Sequence, residues 1–257
     1  MGKYQGTYPI VKKMRLTDTI YDIWVAAQPI AQEIRAGQFV GIICDGKPLR
    51  RPISICESDP ANGAIRLVFE VRGEGTRWLS QQEKGAKLDI LGPLGNGFPV
   101  FPPEKKVVFA GGGIGVPPLL MTCRPFGKNA DVYIGCKTYE NRILIHEFQS
   151  TCRNVVVATE DGTSGIRGFV TLPLEKRLIA EPCDLILTCG PKPMMKAVSE
   201  LAEKYGVECY VSMEERMGCG MGACLTCVCG IRDKKGEVHH RRVCSEGPVF
   251  NAKEVVW

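Results

Sequence analysis

The chain has 257 residues, of which 44% are hydrophobic, and its 33 basic and 28 acidic residues leave a formal net charge of +5. This length predicts two domains and a small additional module. The modest charge and the lack of long Lys or Arg clusters argue against a nucleic-acid partner, and no run reaches the ~20 apolar residues of a membrane span. The thirteen cysteines are odd in number and nine of them are scattered, which, without an apolar signal segment, favours the reducing cytoplasm over a disulfide-rich secreted protein.

Residues 1–100 are predicted to form a small β-barrel. Short apolar runs are separated by Gly, Pro, Asp and Asn, which is typical of consecutive strands and turns. These runs begin at or near Tyr8, Ile20, Gln38, Ile65 and Lys87. One short helix is expected over residues 76–82, with Thr76 as its N-cap.

A basic string, Arg50-Arg51-Pro52-Ile53-Ser54, lies within this region. Arginine supplies a forked cation for a phosphate, proline fixes the backbone, and the serine hydroxyl can contact the edge of a ring such as a flavin. Taken alone, the string is more simply interpreted as an edge strand with exposed arginines.

From residue 101 to about 205 the pattern changes to alternating strands and helices, which predicts an α/β nucleotide-binding domain. The glycine-rich turn at 111–115 follows an apolar strand and precedes a helix, so its amide groups can face a pyrophosphate. Alone, such a turn is equally typical of close packing. Cys189 and Gly190 end a second apolar strand in the same way. Because carboxyl ends of parallel strands meet at one edge, both loops are expected at one ligand-binding edge.

Residues 206–257 contain the most specific motif. Cys219, Cys224 and Cys227 have C-x4-C-x2-C spacing, and Cys244 follows after sixteen further residues. This is the spacing of a [2Fe–2S] site, in which four thiolates hold two irons. The glycines of the loop let the backbone wrap closely and direct N–H groups at sulfur. The intervening residues predict a hairpin with its turn at 233–236, and the pair at 241–242 is expected to be a solvated face of that hairpin.

The order of these motifs resembles the ferredoxin-reductase superfamily. Within it, the chain is similar to the electron-transfer subunits of class 1B, NAD-linked dihydroorotate dehydrogenases. The similarity extends along nearly the whole chain. Its most specific portions are residues 50–55, 73–77, 91–99, 111–118, 212–224 and 242–250.

This resemblance implies a six-stranded FAD-binding β-barrel at 1–100, a Rossmann-like parallel-sheet NAD domain at 101–205 and a small C-terminal [2Fe–2S] module at 206–257. The implied FAD contacts are Arg51, Pro52, Ile53, Ser54, Phe69, Glu70, Val71, Gly75 and Thr76. The expected NAD contacts are Gly111, Gly112, Gly113, Gly115, Cys189 and Gly190, and the cluster ligands are Cys219, Cys224, Cys227 and Cys244. Relatives have Tyr-Arg where this chain has Phe69-Glu70, so main-chain contacts are expected there.

In this family, an FMN-containing catalytic subunit oxidises dihydroorotate to orotate for pyrimidine (UMP) biosynthesis. Electrons pass singly through the cluster to FAD, which gives a hydride to NAD+. The resemblance therefore implies an oxidoreductase subunit with FAD and [2Fe–2S] as cofactors and NAD as substrate. It also implies a cytoplasmic heterotetramer of two catalytic subunits and two of these chains. No catalytic residue and no dihydroorotate pocket are expected in this chain, and NADH oxidation of the diaphorase type is expected in isolation.

Two alternative functions are compatible with the same residues. One is the flavin and [2Fe–2S] subunit of another NAD(P)H-linked complex, such as a ferredoxin:NADP+ oxidoreductase, a sulfide dehydrogenase or a hydrogenase. The other is a nucleotide-sensing adaptor with zinc at the four cysteines, although zinc sites more often pair two C-x2-C motifs.

Overall fold

The computed structural model describes residues 2–257. In this range the strands are β1 (Tyr4–Arg15), β2 (Ile20–Ala26), β3 (Phe39–Ile42), β4 (Arg51–Asp59), β5 (Ala64–Glu70), β6 (Lys87–Leu94), β7 (Val107–Gly112), β8 (Ala130–Cys136), β9 (Asn154–Thr159), β10 (Ile166–Arg167), β11 (Leu185–Cys189), β12 (Glu208–Ser212), β13 (Val228–Arg232), β14 (Val238–Arg242) and β15 (Val249–Asn251). The α-helices are α1 (Gln28–Glu33), α2 (Glu74–Gln81), α3 (Pro117–Cys123), α4 (Ile145–Thr151), α5 (Thr171–Ala180) and α6 (Lys192–Lys204). Short 3₁₀ segments lie at Gly113–Gly115, Arg124–Asn129 and Tyr139–Asn141.

These elements form two compact units. The first comprises the described chain up to Gly97 together with Glu215–Cys229 and Arg241–Pro248. The second comprises Phe98–Glu214, Gly230–His240 and Val249–Trp257. All four cysteines of the C-x4-C-x2-C…C motif therefore belong to the first unit.

The first unit contains a closed antiparallel barrel with strand order β1-β2-β5-β4-β3-β6. Alternation along β4 directs Ile53 and Ile55 into the apolar core, whereas Pro52 is exposed and Ser54 is half-buried. The predicted six-stranded barrel is thus confirmed, and its outer surface at β4 exposes the Pro52 and Ser54 side chains.

Helix α2 begins two residues before the predicted start. Its N-cap is Gly73, and Thr76 lies in the first turn, so the prediction of Thr76 as the cap is wrong. The Thr76 hydroxyl instead accepts hydrogen bonds from the amide N–H groups of Arg72 at 2.9 Å and Gly73 at 3.2 Å. A hydroxyl at the third helical position can reach back to the chain entering the helix, which is the geometry found here.

The second unit is built on a seven-stranded sheet with the order β10-β9-β8-β7-β11-β12-β15. All neighbouring strands are parallel except β12 and β15, which are antiparallel. Helix α3 contacts β7 and β11, and α6 contacts β11 and β12. The predicted α/β domain with a parallel sheet is confirmed, and strand β15 comes from beyond the cysteine motif.

Strands β13 and β14 form the predicted hairpin. Its turn is closed by hydrogen bonds from Asp233 N–H to the Glu237 carbonyl at 2.9 Å and from Gly236 N–H to the Asp233 carbonyl at 3.0 Å. The longest of the helices is α6, with 13 residues. Across residues 2–257, no helix has the length and apolar character needed to cross a membrane.

Candidate iron–sulfur, FAD and NAD sites

The four motif cysteines differ in exposure. Cys224 is exposed, Cys219 is half-buried, and Cys227 and Cys244 are buried. The loop that contains the first three cysteines turns through a left-handed backbone conformation at Gly222, where φ is 95°. Glycine adopts this conformation without steric cost.

Hydrogen-bond donors of the loop point at the cysteine sulfurs. Cys219 Sγ accepts hydrogen bonds from the amides of Met221 at 3.5 Å and Ala223 at 3.2 Å. Cys224 Sγ accepts from the amide of Cys219 at 3.3 Å and from Thr226 Oγ1 at 3.2 Å. Cys227 Sγ accepts from the amide of Cys244 at 3.4 Å. The bonds from the Thr226 hydroxyl, the largest cause, and from the amide of Cys219 lower the pKa of Cys224 to about 6. The thiolate is the form that binds a metal, so the loop favours ligation.

The four thiols interact with one another. Cys219 interacts with Cys224, and Cys244 interacts with both Cys227 and Cys219. Among the described residues, the one set of three ligating side chains within 4.8 Å of one another is Asp233, Glu237 and His239, so no three of these thiols are that close. A single tetrahedral zinc, with Zn–S bonds of about 2.3 Å, holds its four sulfurs within about 4 Å of one another. The wider spread of these four thiols instead fits a cluster with two irons.

The side chain of Ser245 gives a second indication that the loop accommodates a cluster. Its Oγ is buried and has no hydrogen-bond partner within the part of the chain that the structure describes. A Cβ placed on Gly222 would lie 2.8 Å from this oxygen, so the hydroxyl packs against the cysteine loop directly after Cys244. An unpaired buried hydroxyl is costly, and a cluster sulfur is an acceptor that satisfies it.

Arg242 connects the end of β14 to the cysteine loop. Its Nη1 donates to the carbonyl oxygen of Gly222 at 3.0 Å, and its Nε donates to Glu246 Oε2 at 2.9 Å. Bonds from the backbone and side chain of Arg242 and from Arg241 lower the pKa of Glu246 to about 2. Arg241 is exposed, as expected for a solvated face, whereas Arg242 is half-buried and is also bonded to the cysteine loop. Opposite charges on both sides of Cys244 were the available sequence signal.

The residues expected at the FAD phosphates meet at the start of α2. A Cβ on Gly75 would collide with Nε of Arg51 and lie 3.1 Å from its Cδ, so the guanidinium lies directly beside this turn. The neighbouring Arg50 is committed elsewhere, because it pairs with Asp89 at 2.8 Å and donates to the Gly41 carbonyl at 3.1 Å. A helix N-terminus with an adjacent arginine fits a pyrophosphate.

The side chains of the second expected FAD segment point to other partners. Phe69 is 2% exposed and stacks on Tyr21 with ring centroids 6.0 Å apart. Glu70 accepts a hydrogen bond from Arg72 Nε at 2.6 Å. Both side chains are therefore engaged, which agrees with the expectation of main-chain contacts at these positions and at half-buried Val71.

A small cleft lies between the outer surface of the barrel and the cysteine loop. Its lining residues are Phe39, Gly41, Arg50, Pro52, Leu94, Met217, Gly218, Cys219 and Gly220. Pro52 on β4 and Cys219 thus share one cleft. The strand expected along the flavin and a candidate cluster ligand are neighbours within the first unit.

In the second unit, the two glycine loops contact each other at the carboxyl edge of the sheet. Gly111 on β7 is in register with Cys189 on β11. A Cβ on Gly115 would lie 2.5 Å from the carbonyl carbon of Cys189, and one on Gly112 would lie 2.5 Å from Sδ of Met194. Only glycine permits this approach, and the prediction that both loops lie at one edge is confirmed.

The Cys189 thiol at this edge is buried. Burial, followed by the charge of Glu214, raises the pKa of Cys189 to about 12. The thiol is consequently neutral at physiological pH and places no charge beneath the two loops.

The barrel, the nucleotide-type sheet edge and the four-thiol loop together define a flavin-dependent, NAD-linked oxidoreductase subunit with an iron–sulfur module. The family model for the iron–sulfur cluster binding domain of dihydroorotate dehydrogenase B matches residues 214–256. The chain is 39% identical to a dihydroorotate dehydrogenase B (NAD(+)) electron transfer subunit from Caldanaerobacter subterraneus subsp. tengcongensis, over 96% of this chain and 97% of that protein. A subunit of the same description from Geobacillus thermodenitrificans is 38% identical over 96% of each chain. The chain belongs to the family of dihydroorotate dehydrogenase B (NAD+) electron transfer subunits.

Solved structures agree with this assignment. The structure of an NADH-dependent reduced ferredoxin-NADP oxidoreductase, described for flavin-based electron bifurcation, matches with a TM-score of 0.85 and 30% identity, over 100% of this chain and 92% of that chain. A ferredoxin reductase of carbazole 1,9a-dioxygenase shares the fold, with a TM-score of 0.69 and 21% identity over 80% of this chain and 67% of that chain. The expected fold class, electron-transfer role and cofactor set of FAD, [2Fe–2S] and NAD are confirmed.

Proposed function

We propose that this chain transfers electrons from an FMN-containing dihydroorotate dehydrogenase catalytic subunit to NAD+ in pyrimidine (UMP) biosynthesis. The observation that supports this most directly is the loop of four interacting thiols, of which Cys219 shares a cleft with Pro52 on the outer surface of the barrel. A [2Fe–2S] cluster exchanges one electron, FAD one or two, and NAD+ two as a hydride, so the three groups connect one-electron with two-electron chemistry.

The residues have separate roles in this proposal. Cys219, Cys224, Cys227 and Cys244 hold the cluster, and the loop amides orient the first two thiolates. Arg51 with the first turn of α2, at Gly75 and Thr76, binds the FAD pyrophosphate. Residues 52–54 and the main chain of 69–71 border the flavin and its ribityl chain. We propose corresponding functional regions at 1–100 for FAD, 101–205 for NAD and 206–257 for the cluster.

At the sheet edge, the glycine loops bind NAD. Gly111, Gly112, Gly113 and Gly115 allow close approach of the dinucleotide phosphates, and Gly190 continues the same surface from β11. A Cβ on Gly113 would meet no atom within 4 Å, so open space lies above this loop. Cys189 keeps its proton on Sγ and leaves the edge uncharged.

The catalytic subunit docks at the exposed side of the cluster in this proposal. Met221 and Leu225 are 48% and 62% exposed and flank exposed Cys224. Large apolar side chains around a redox ligand suit a protein interface that excludes water. The complete assembly is a cytoplasmic heterotetramer with two catalytic subunits and two of these chains.

A second candidate function is that of a subunit in an NADH-dependent ferredoxin:NADP+ oxidoreductase. The structural match at a TM-score of 0.85 over the whole chain favours it. The two candidates differ in the redox partner of the cluster, so they are separated by the partner protein that supports turnover.

The test is reconstitution of the anaerobically purified chain, after FAD, iron and zinc have been quantified. With an FMN-containing dihydroorotate dehydrogenase catalytic subunit from a relative, we expect dihydroorotate to reduce NAD+ only when both proteins are present. Cys224→Ser is expected to abolish this coupled reaction. NADH oxidation by a small-molecule acceptor that bypasses the cluster is expected to persist in this variant.

Two results would contradict the proposal. Turnover with reduced ferredoxin and none with the catalytic subunit would favour the second candidate. A colourless protein that contains zinc and no flavin would favour the adaptor.

A further inference from the structure

Thr226 lies between the cluster ligands Cys224 and Cys227. Its Oγ1 donates to Cys224 Sγ at 3.2 Å. Apart from the cysteine thiols themselves, backbone amides donate to these sulfurs, whereas Thr226 contributes a side-chain hydroxyl. A backbone amide is present whatever the side chain, whereas this contact depends on the residue at 226.

Gly218 makes room for the contact. A Cβ on Gly218 would lie 3.0 Å from Cys224 Sγ and 3.3 Å from Thr226 Oγ1. The hydroxyl and the sulfur thus meet in the space that the missing side chain leaves. The arrangement sits on the exposed side of the loop, because both Cys224 and Thr226 are exposed.

We propose that the Thr226 hydroxyl raises the reduction potential of the [2Fe–2S] cluster through its hydrogen bond to the Cys224 thiolate. Reduction adds one negative charge to the cluster, and part of it lies on the ligating sulfurs. A donor that points at one of these sulfurs therefore stabilises the reduced form more than the oxidised form. Thr226 is a positioning residue that acts through Cys224, and the inference rests on the cluster assignment within the proposed function.

The function of this bond is to tune electron acceptance at the exposed side of the cluster. The Thr226 hydroxyl is one of several donors to Cys219 and Cys224, and its bond is one that a substitution can remove. Removal of the hydroxyl takes away this contact without altering any ligand. Loss of the hydroxyl is therefore expected to change the reduction potential of the cluster and to leave the iron content of the protein unchanged.

The experiment compares three proteins, the wild type, Thr226→Val and Thr226→Ser, as anaerobic holoproteins without a partner. Valine keeps the shape of threonine and lacks the donor, whereas serine keeps the donor. The midpoint potential of the cluster is measured by a redox titration followed by electron paramagnetic resonance. Iron and FAD are quantified on the same samples, and Fe–S stretching frequencies are recorded by resonance Raman spectroscopy.

We expect the potential of Thr226→Val to shift to more negative values and that of Thr226→Ser to remain close to the wild type. An Fe–S(Cys) stretching mode is expected to shift in Thr226→Val as well. An unchanged potential in Thr226→Val with full iron content would overturn the inference. Equal shifts in both variants would also overturn it, because they would indicate a packing effect.

Thr226→Ala provides the same comparison with Thr226→Ser if the valine variant does not retain iron. The outcome is separable from that of the proposed function. A shifted potential together with failed reconstitution would contradict the dihydroorotate partner and leave the Thr226 inference intact. A wild-type chain without a [2Fe–2S] cluster would contradict both.

Discussion

The guanidinium of Arg242 donates a hydrogen bond to the carbonyl oxygen of Gly222 at 3.0 Å and thereby ties the end of β14 to the middle of the cysteine loop. Loss of a hydrogen bond from a charged donor costs about 1.5–3 kcal/mol. In Arg242→Ala we expect cluster loss in the presence of an iron chelator to be roughly tenfold faster, followed by the decay of visible absorption. Arg241→Ala is the matched control, because Arg241 pairs with the same Glu246 at 2.8 Å in an exposed position. Equal rates in the two variants would contradict a specific role for Arg242.

The contact between Arg51 and Gly75 predicts a position that is sensitive to a single methyl group. In Gly75→Ala the new Cβ collides with the Arg51 guanidinium and displaces it from the helix start. A lost hydrogen bond from a charged donor costs about 1.5–3 kcal/mol, so we expect displacement of Arg51 to raise the Kd for FAD by about tenfold or more. Equilibrium titration of the apoprotein with FAD measures this change. Gly73→Ala is the control, since its Cβ would meet no atom within 4 Å; a similar loss in that variant would refute the argument.

From the close approach of the two glycine loops we predict a variant that is impaired in NADH binding alone. In Gly115→Ala the Cβ would lie 2.5 Å from the Cys189 carbonyl and from Gly190 Cα, and these backbone atoms cannot rotate away. We expect the KM for NADH to increase by about tenfold, as the loop moves from its position. Steady-state diaphorase kinetics give this value. Unchanged FAD and iron contents are the internal control, and an unaltered KM would show that this edge does not bind the dinucleotide.

From the ion pairs of Asp131 we predict that the second unit loses stability in acid. Asp131 is 2% exposed on β8 and accepts hydrogen bonds from Arg153 Nε at 2.8 Å and from Arg177 Nε at 2.7 Å. Burial opposes ionisation, but the two guanidinium groups prevail and lower the pKa of Asp131 below its ordinary value. Its contribution to stability is therefore present above the unfolded pKa of about 3.9 and is lost as the pH falls through the folded value.

The measurement is urea denaturation of the wild type, Asp131→Asn and Asp18→Asn between pH 7 and pH 3. Removal of one partner from a buried charge cluster costs about 3 kcal/mol, so Asp131→Asn is expected to lose about that much at pH 7 and to show a weaker acid dependence. Asp18, whose side chain is 98% exposed, is the control and is expected to change little. If the stability of Asp131→Asn falls with pH as steeply as that of the wild type, other carboxylates cause the acid sensitivity.

Local patterns in the sequence were sufficient for the fold class and for the cysteine motif. The alternation of apolar residues and the glycine at the end of each strand are local consequences of strand and turn geometry, and they predicted both the barrel and the parallel sheet. The shared edge of the two glycine loops also followed from this rule, since Gly111 and Cys189 both lie at the ends of parallel strands of one sheet. The spacing of the four candidate cysteine ligands could be recognised from the sequence alone.

Contacts between residues that are distant along the chain could not be predicted in this way. The bond from Arg242 to Gly222 depends on how the hairpin returns to the loop, and the contact of Thr226 with Cys224 depends on the loop conformation. The three residues of β15 are too few to show a period, and their antiparallel pairing with β12 is set by tertiary structure. The start of α2 was misplaced because Gly73 is a weak cap signal, whereas Thr76 is a strong one.

The short edge strands of the seven-stranded sheet have a consequence for self-association. Its two edges are β10, with two residues, and β15, with three, and the barrel of the first unit is closed on itself. An unpaired edge is a template for intermolecular β-pairing only when it is long enough to support a ladder. Neither of these two sheets therefore offers a long edge at which further copies of the chain can add strand upon strand.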